Sequence, residues 1–256
     1  MKAVILAGGF GTRLSEETHL KPKPLVEIGG RPIIWHIMKY LSSYGIKDFV
    51  ICCGYKGYMI KEYFKNYNLH ISDIIFDISN NTHKLINKSS ENWNVACIDT
   101  GEDTMTGGRL KRVKEYIKDE EQFLFTYGDG LCDVKINELE EFHIKNKKLA
   151  TVTGVLPPGR FGALKIEDNL VSKFQEKPEG DGNRINGGYF ILSPKVIDYI
   201  KDDESIWEKE SLENLAKDKE LACWFHDNFW IPMDTLRDKH LLEDLWKNQK
   251  APWKVW

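Results

Sequence analysis

The chain begins with an apolar run that leads directly into a cluster of glycines, and this feature restricts the possible folds most. Residues 2–7 (KAVILA) have the pattern of a buried strand, and Gly8, Gly9 and Gly11 follow within four positions. Glycines at the end of a strand permit φ > 0 and let backbone N–H groups approach an anion closely. The pattern therefore favours a fold in which a buried strand ends at a ligand-binding loop.

Apolar runs and helical patterns alternate after this loop, which indicates an α/β fold. We predict a Rossmann-like mixed, mainly parallel sheet flanked by helices, with a strand-rich C-terminal part. No linker interrupts the chain, so the sequence predicts one domain over residues 1–256, with halves at 1–130 and 131–256. Residues 71–98 are predicted to be a hairpin or an insertion, and residues 83–93 match no pattern. The other predicted elements are strands at 48–53, 122–127, 149–155, 185–193 and 221–227, two short strands within 160–178, helices at 33–44, 57–66, 107–118, 136–147, 194–200, 208–218 and 235–248, and a loop at 229–235.

Composition argues against several classes of function. The formal net charge is −3, so the chain lacks the basic excess of a nucleic-acid-binding protein. The five cysteines have no zinc-ligand spacing, and we predict reduced structural thiols. No run approaches the ~18 apolar residues of a membrane span. The N-terminal run is too short for a secretory signal, so we predict a cytoplasmic protein with no membrane partner.

Positive charge follows the glycine cluster. Arg13 offers a planar guanidinium suited to phosphate, and Lys21 and Lys23 alternate with prolines that restrict the backbone to an extended segment. Together these residues predict a rigid polyphosphate cradle. Neither the Walker pattern nor the dinucleotide fingerprint is met, so glycine content alone is equally compatible with a tight loop that carries scattered charge.

Two aspartates are candidate magnesium ligands. Asp129 lies between Gly128 and Gly130 after the apolar run 123–127, and Asp234 follows the apolar segment 229–233. Phosphoryl and nucleotidyl transfer usually employs Mg²⁺ held by one or two carboxylates together with substrate phosphates. An aspartate at either position is also compatible with a turn or a helix N-cap.

Two further segments carry charge near predicted element ends. Residues 176–178 (EKP) follow a strand pattern and fit either a ligand site or an exposed strand end. Thr104 and Arg109 lie near the start of the predicted helix 107–118, whose free N–H groups suit an anion. Thr106 equally fits a cap for that helix.

The complete strings are more specific than their parts. Residues 6–14 (LAGGFGTRL), 21–25 (KPKPL) and 29–33 (GGRPI) resemble the signature of the sugar-phosphate nucleotidyltransferases. The resemblance implies a nucleotide-binding first half, a sugar-phosphate-binding second half, and Mg²⁺ held by Asp129 and Asp234. Thr104 and Arg109 are implied to contact the base. The nucleotide-binding residues that it implies are Leu6, Ala7, Gly8, Gly9, Phe10, Gly11, Thr12, Arg13, Lys23, Thr104, Arg109 and Gly128; the sugar-phosphate-binding residues are Gly162, Glu176, Lys177, Asn186 and Gly187; the catalytic residues are Arg13, Lys23, Asp129 and Lys177.

Within this family the chain most resembles the members that form CDP-glucose. The implied substrates are CTP and glucose 1-phosphate, joined by an in-line displacement whose product enters O-antigen-type polysaccharide synthesis. Two alternatives stay open: the same reaction with UTP or dTTP, and a non-catalytic paralogue that senses a sugar nucleotide. The resemblance also implies a homo-oligomer such as a hexamer, and the aromatic tail 251–256 (APWKVW) is expected to be buried by self-association.

Overall fold

A computed structural model describes residues 1–86, 91–157, 163–167, 170–175 and 184–256, with only the backbone for Arg13, Ser15, Glu16, 163–167 and 170–175. Its strands are β1 (Ala3–Ala7), β2 (Glu27–Ile28), β3 (Arg31–Pro32), β4 (Asp48–Cys53), β5 (Asp73–Asp77), β6 (Thr82–Ile86), β7 (Asn94–Asp99), β8 (Phe123–Tyr127), β9 (Gly130–Cys132), β10 (Ala150–Val155), β11 (Ala163–Glu167), β12 (Leu170–Gln175), β13 (Ile185–Leu192), β14 (Leu221–His226) and β15 (Trp230–Pro232). Its α-helices are α1 (Ser15–Thr18), α2 (Ile33–Ser43), α3 (Gly57–Lys65), α4 (Tyr67–Ile71), α5 (Thr106–Arg112), α6 (Lys114–Ile117), α7 (Ile136–Asn146), α8 (Leu212–Lys217) and α9 (Leu236–Lys247), with 3₁₀ turns at Thr12–Leu14, Lys23–Leu25 and Pro194–Tyr199 and a π-helix at Trp207–Ser211.

Seven strands form the central sheet, in the order β14-β10-β13-β8-β1-β4-β7. The pairs β1–β4, β1–β8, β4–β7 and β10–β14 are parallel, whereas β13 runs antiparallel to both of its neighbours. The predicted mixed, mainly parallel sheet is therefore confirmed. The carboxyl ends of β1 and β8 lie side by side, because Leu6 pairs with Tyr127. The loops that follow them open at one edge of the sheet, where ligands bind in open α/β folds.

Both faces of the sheet are buried, and the side chains of β1 alternate between them. Ala3, Ile5 and Ala7 contribute to an apolar cluster that includes α2, and Val4 and Leu6 to a second cluster on the opposite face. Alternation of this kind follows from the two-residue period of a strand. Burial on both sides explains why 2–7 is a continuous apolar run.

Several elements differ from the sequence predictions, and the helix predicted over 194–200 is a 3₁₀ turn over Pro194–Tyr199. Residues 94–99 form the edge strand β7 beside β4, so the hairpin in 71–98 comprises only β5 and β6. The helix predicted over 107–118 is divided at Val113, and the first turn of the helix predicted over 208–218 is a π-helix. The predicted loop 229–235 contains β15, which pairs with β9. This last pairing places the segment before Asp234 beside the strand that follows Asp129.

Within the C-terminal tail, Trp253 is buried by its own chain, so self-association is not needed to cover this side chain. That side chain is fully buried, donates its Nε1–H to His36 Nδ1 at 3.3 Å, and stacks on Phe229 at 5.5 Å between ring centroids. Trp256 keeps 36% of its surface exposed. The tail thus closes one side of the α2 cluster.

All five cysteines lie in the described part of the chain and are free thiols, as predicted. Cys52, Cys53 and Cys132 are buried, Cys97 is half-buried and Cys223 is exposed. Burial raises the pKa of the Cys52 and Cys132 thiols to about 12. Among the described helices, none combines the length and the apolar character needed to cross a bilayer.

Candidate active site

A cavity of about 420 Å³ opens at the carboxyl ends of β1 and β8. Its walls come from the glycine loop, the turn that follows β8, and the segment before α5. Most of the predicted nucleotide-binding residues line it. The lining residues are Leu6, Ala7, Gly8, Gly9, Phe10, Gly11, Thr12, Lys23, Pro24, Glu102, Asp103, Thr104, Met105, Thr106, Arg109, Tyr127, Gly128 and Asp129.

The glycines of the first loop are needed for two different reasons. Gly11 has φ +65°, a left-handed conformation that other residues rarely adopt. Gly8 lacks positive φ, but a Cβ there would lie 2.2 Å from Arg109 Nη1. A side chain at Gly8 would therefore displace the guanidinium that packs against it.

Arg109 ties two walls of the cavity together. Its Nη2 donates to the carbonyl oxygens of Gly8 at 3.0 Å and Glu102 at 2.8 Å, and its Nη1 donates to Gly101 O at 2.6 Å and Thr100 Oγ1 at 2.9 Å. The side chain is buried, and burial lowers its pKa. Sequence analysis expected Arg109 to contact the base, whereas its observed hydrogen bonds hold the glycine loop against the 100–102 segment.

The start of α5 differs from the predicted anion site. The N–H groups of Gly107 and Gly108 donate to Ser205 O at 2.9 and 3.2 Å, so they are already paired. The anion-site expectation for this helix start is wrong for that reason. Thr106 does not cap the helix either: its hydroxyl donates to Glu208 Oε2 at 2.6 Å and accepts from Trp207 N at 2.9 Å.

Lys23 lies between the two candidate metal-binding carboxylates. Its Nζ is 2.5 Å from Asp129 Oδ2 and 2.8 Å from Asp234 Oδ1. Burial opposes the charge on Lys23, but the two carboxylates outweigh it and hold the pKa of the amine above its ordinary value. Lys21 lies apart on the surface and pairs with Glu27 at 2.9 Å. The predicted cradle thus contains only the second of the two lysines.

Backbone pairing brings the two aspartates together from distant parts of the chain. Met233 N donates to Asp129 O at 2.8 Å, next to the pairing of β15 with β9. The N-cap of α9 is Thr235, whose hydroxyl accepts from Asp238 N in a reciprocal capping box. The N-cap interpretation of Asp234 is therefore excluded, and its carboxylate is directed to the Lys23 amine.

The donor set of this pair fits Mg²⁺. Both carboxylates point to the Lys23 amine, so the space between them favours a cation. The described residues contain no group of three or more His, Cys, Asp or Glu side chains that could hold a metal. Two carboxylates completed by substrate phosphates and water are the usual arrangement for Mg²⁺ in nucleotide sites.

The sugar-phosphate side is described in part. Asn186 and Gly187 lie at the start of β13, where Asn186 Nδ2 donates to the Tyr127 hydroxyl at 3.3 Å and Gly187 O accepts from Trp230 Nε1 at 2.6 Å. Gly162, Glu176 and Lys177 lie outside the described residues, and so does the side chain of Arg13. Their roles stay predictions.

Sequence analysis missed Tyr127 and Glu208. Tyr127 lines the cavity directly before Gly128 and Asp129, and its place at the end of an apolar strand was an available signal. Glu208 lies in an acidic and basic stretch that resembles an ordinary helix surface. Nothing local in the sequence distinguishes it.

Comparison with known proteins gives concordant results. A family model described as nucleotidyl transferase matches residues 2–235. A glucose-1-phosphate cytidylyltransferase of Salmonella typhi is 61% identical over 256 residues, covering all of both chains. A probable glucose-1-phosphate cytidylyltransferase of Bacillus subtilis is 46% identical over 257 residues, with the same coverage. The crystal structure of HddC from Yersinia pseudotuberculosis complexed with GMP-PN superposes with a TM-score of 0.69 at 25% identity, covering 96% of this chain and 99% of that one.

Proposed function

This chain belongs to the nucleotidyl transferase family, and from that membership we propose that it transfers CMP from CTP to α-D-glucose 1-phosphate. The products are CDP-glucose and pyrophosphate. The observation that carries the choice of substrates is the 61% identity to the Salmonella typhi enzyme across the full length of both chains. The cavity supports the reaction class, because a glycine loop, a buried lysine and two carboxylates meet at one edge of the sheet.

The proposed reaction is a direct in-line displacement. An oxygen of the glucose 1-phosphate group forms a bond to the α-phosphorus of CTP, while the bond from that phosphorus to the oxygen bridging to the β-phosphate breaks. The electron pair leaves with pyrophosphate. No covalent enzyme intermediate is needed, and the buried thiols of Cys52 and Cys53 are not required as nucleophiles. Catalysis then comes from positioning and charge stabilisation.

Each part of the cavity has a role in this proposal. The backbone of residues 8–11 holds the triphosphate, and the Lys23 ammonium offsets its negative charge. Asp129 and Asp234 would hold Mg²⁺, which neutralises charge on the phosphates when bound. Arg13 is proposed to contact the triphosphate and Lys177 the attacking phosphate. Gly162, Glu176, Asn186 and Gly187 are proposed to bind the hexose.

The wider context is also part of the proposal. A cytoplasmic enzyme that supplies a precursor for O-antigen-type polysaccharide is the setting implied by CTP and a sugar phosphate as substrates. Self-association into a homo-oligomer is supported by the β5–β6 hairpin, which exposes Ile75, Phe76 and Ile78 by 58%, 57% and 85%. Apolar clusters of this kind are typical of protein contacts.

Pyrophosphate release measured with CTP, UTP, dTTP, ATP and GTP, each with glucose 1-phosphate, tests the proposal. We expect CTP to give the highest kcat/KM, and equal turnover with UTP or dTTP would refute the assignment of CTP. Nucleotide binding without pyrophosphate release would instead identify a sensing paralogue. Asp129→Asn and Asp234→Asn are each expected to lower kcat on the order of 10²–10³-fold. Asp119→Asn, at an exposed position after α6 and outside the cavity lining, is the matched control and should keep full activity.

A further inference from the structure

A chain of hydrogen bonds crosses the rim of the cavity and centres on Glu208. The Tyr127 hydroxyl donates to Glu208 Oε1 in a short contact, and Thr106 Oγ1 donates to Glu208 Oε2 at 2.6 Å. Both partners line the cavity, whereas Glu208 is exposed and is not among the lining residues. One carboxylate therefore links the end of β8 to the start of α5.

Residues at the start of β13 also restrict the Tyr127 side chain. Asn186 Nδ2 donates to the Tyr127 hydroxyl at 3.3 Å, and Asn186 Oδ1 accepts from Gly188 N at 2.8 Å. Gly188 has φ +77°, and a Cβ there would lie 2.6 Å from Tyr127 Cδ2. The aromatic ring thus packs directly on a glycine backbone, and Tyr127 has little freedom to rotate.

The backbone around Glu208 is unusual. Glu208 lies in the π-helix Trp207–Ser211, in which Lys209 has non-helical angles of φ −111° and ψ −114°. Trp207 is fully buried, and its backbone N–H donates to Thr106 Oγ1 at 2.9 Å. Trp207 therefore anchors the irregular turn, which directs the Glu208 carboxylate toward the cavity rim.

The position of the Tyr127 hydroxyl proton determines which hydrogen bonds this residue can make to a ligand. Because the Tyr127 proton is committed to Glu208, the phenolic oxygen is left as an acceptor. One lone pair of the Tyr127 oxygen accepts the hydrogen bond from Asn186 Nδ2, and the other can accept a hydrogen bond from a hydroxyl group of a ligand.

We propose that Glu208 is a positioning residue for the hexose. It acts through Tyr127, whose phenolic oxygen accepts a hydrogen bond from a sugar hydroxyl. This inference rests on the proposed function and adds the residues that orient the sugar. The hexose is the relevant part of the substrate, because the Tyr127 hydroxyl accepts a hydrogen bond from Asn186, which the proposed function assigns to the hexose. Glu208 itself does not contact the reacting phosphates.

The test is calorimetric binding of CTP and of CDP-glucose, since only the second ligand carries the hexose. Glu208→Ala and Tyr127→Phe are each expected to weaken CDP-glucose binding about tenfold and to leave CTP binding within about twofold. The double variant should be no weaker than either single variant, because both changes remove one interaction. Glu210→Ala, on the same exposed turn, is the matched control and should bind both ligands normally.

Several results would overturn the proposal. Equal losses for CTP and CDP-glucose would indicate a general structural role, and additive effects in the double variant would show that Glu208 does not act through Tyr127. If Glu208→Ala fails to fold, Tyr127→Phe alone still compares CDP-glucose binding with CTP binding, because it removes only the hydroxyl group and keeps the ring. Failure of wild-type protein to bind either ligand would refute the proposed function itself, and this result is distinct from the others.

Discussion

Replacing Lys23 with methionine removes the positive charge between two carboxylates and changes the side-chain volume little. The Lys23 amine is 2.5 Å from Asp129 Oδ2 and 2.8 Å from Asp234 Oδ1, so the two oxygens are no more than about 5 Å apart. Two unit charges about 5 Å apart repel by about 3 kcal/mol at an effective dielectric constant of 20. The side chains of Asp129 and Asp234 are 27% and 12% exposed, so solvent reduces this repulsion.

We therefore expect Lys23→Met to lower the free energy of unfolding by about 2 kcal/mol and Tm by about 4–8 °C. Millimolar Mg²⁺ should restore part of this loss, because a divalent cation supplies the missing charge between Asp129 and Asp234. The kcat/KM for CTP should fall on the order of 10²–10³-fold. Urea unfolding with and without Mg²⁺, together with pyrophosphate release, measures all three effects.

Lys21→Met is the matched control. Lys21 lies two residues earlier and pairs with Glu27 on the surface, an interaction worth at most about 1 kcal/mol. We expect wild-type activity and a stability change that does not respond to Mg²⁺. Indistinguishable behaviour of the two variants would refute the assignment of Lys23 to the space between the carboxylates.

Three further predictions concern the loop and the core. Gly8→Ala places a methyl group 2.2 Å from a guanidinium nitrogen and should lower kcat/KM for CTP on the order of 10²-fold in a pyrophosphate-release assay. Gly9→Ala places its methyl group in open space and should lower kcat/KM less. Burial lowers the pKa of His36 to about 4, so between pH ~6.5 and 4 this side chain binds a proton only in the unfolded chain. The free energy of unfolding should therefore fall by roughly 3 kcal/mol from pH 6.5 to 4. Urea unfolding across this range measures the fall, and the same slope in His36→Gln would contradict the reasoning. Trp253→Ala should cost about 3–5 kcal/mol of unfolding free energy, against less than about 1 kcal/mol for the half-exposed Trp256→Ala, and equal losses would argue against tail docking.

Local patterns were sufficient for the framework of the sheet. The strands β1, β4 and β8 were predictable because each is buried on both faces and therefore appears as an uninterrupted apolar run. Asp129 was predictable for a related reason, since it directly follows one of these runs and is flanked by glycines. In each case the signal and the structure it specifies lie within about ten residues.

Contacts between distant segments were not predictable in this way. The pairing of β15 with β9 joins residues about 100 positions apart, and a three-residue strand has too little periodicity to be recognised. The N–H groups at the start of α5 were expected to be free, but the Ser205 carbonyl that occupies them is far along the chain. Trp253 appeared to require a partner subunit, because nothing in the tail indicates that His36 receives its N–H group.

Arg109 illustrates how such a distant contact changes the meaning of a local motif. Positive φ accounts for Gly11, but Gly8 and Gly54 are required because a Cβ on either would lie 2.2 Å from Arg109 Nη1. The guanidinium occupies the space that these two glycines leave, and it fixes the carbonyl groups of Gly8 and Glu102 on opposite walls. The wall proposed to hold the triphosphate and the wall predicted to contact the base therefore cannot move independently. Substrate selection in this cavity is accordingly expected to depend on both walls at once, so a change at Gly8 should alter base preference as well as affinity for phosphate.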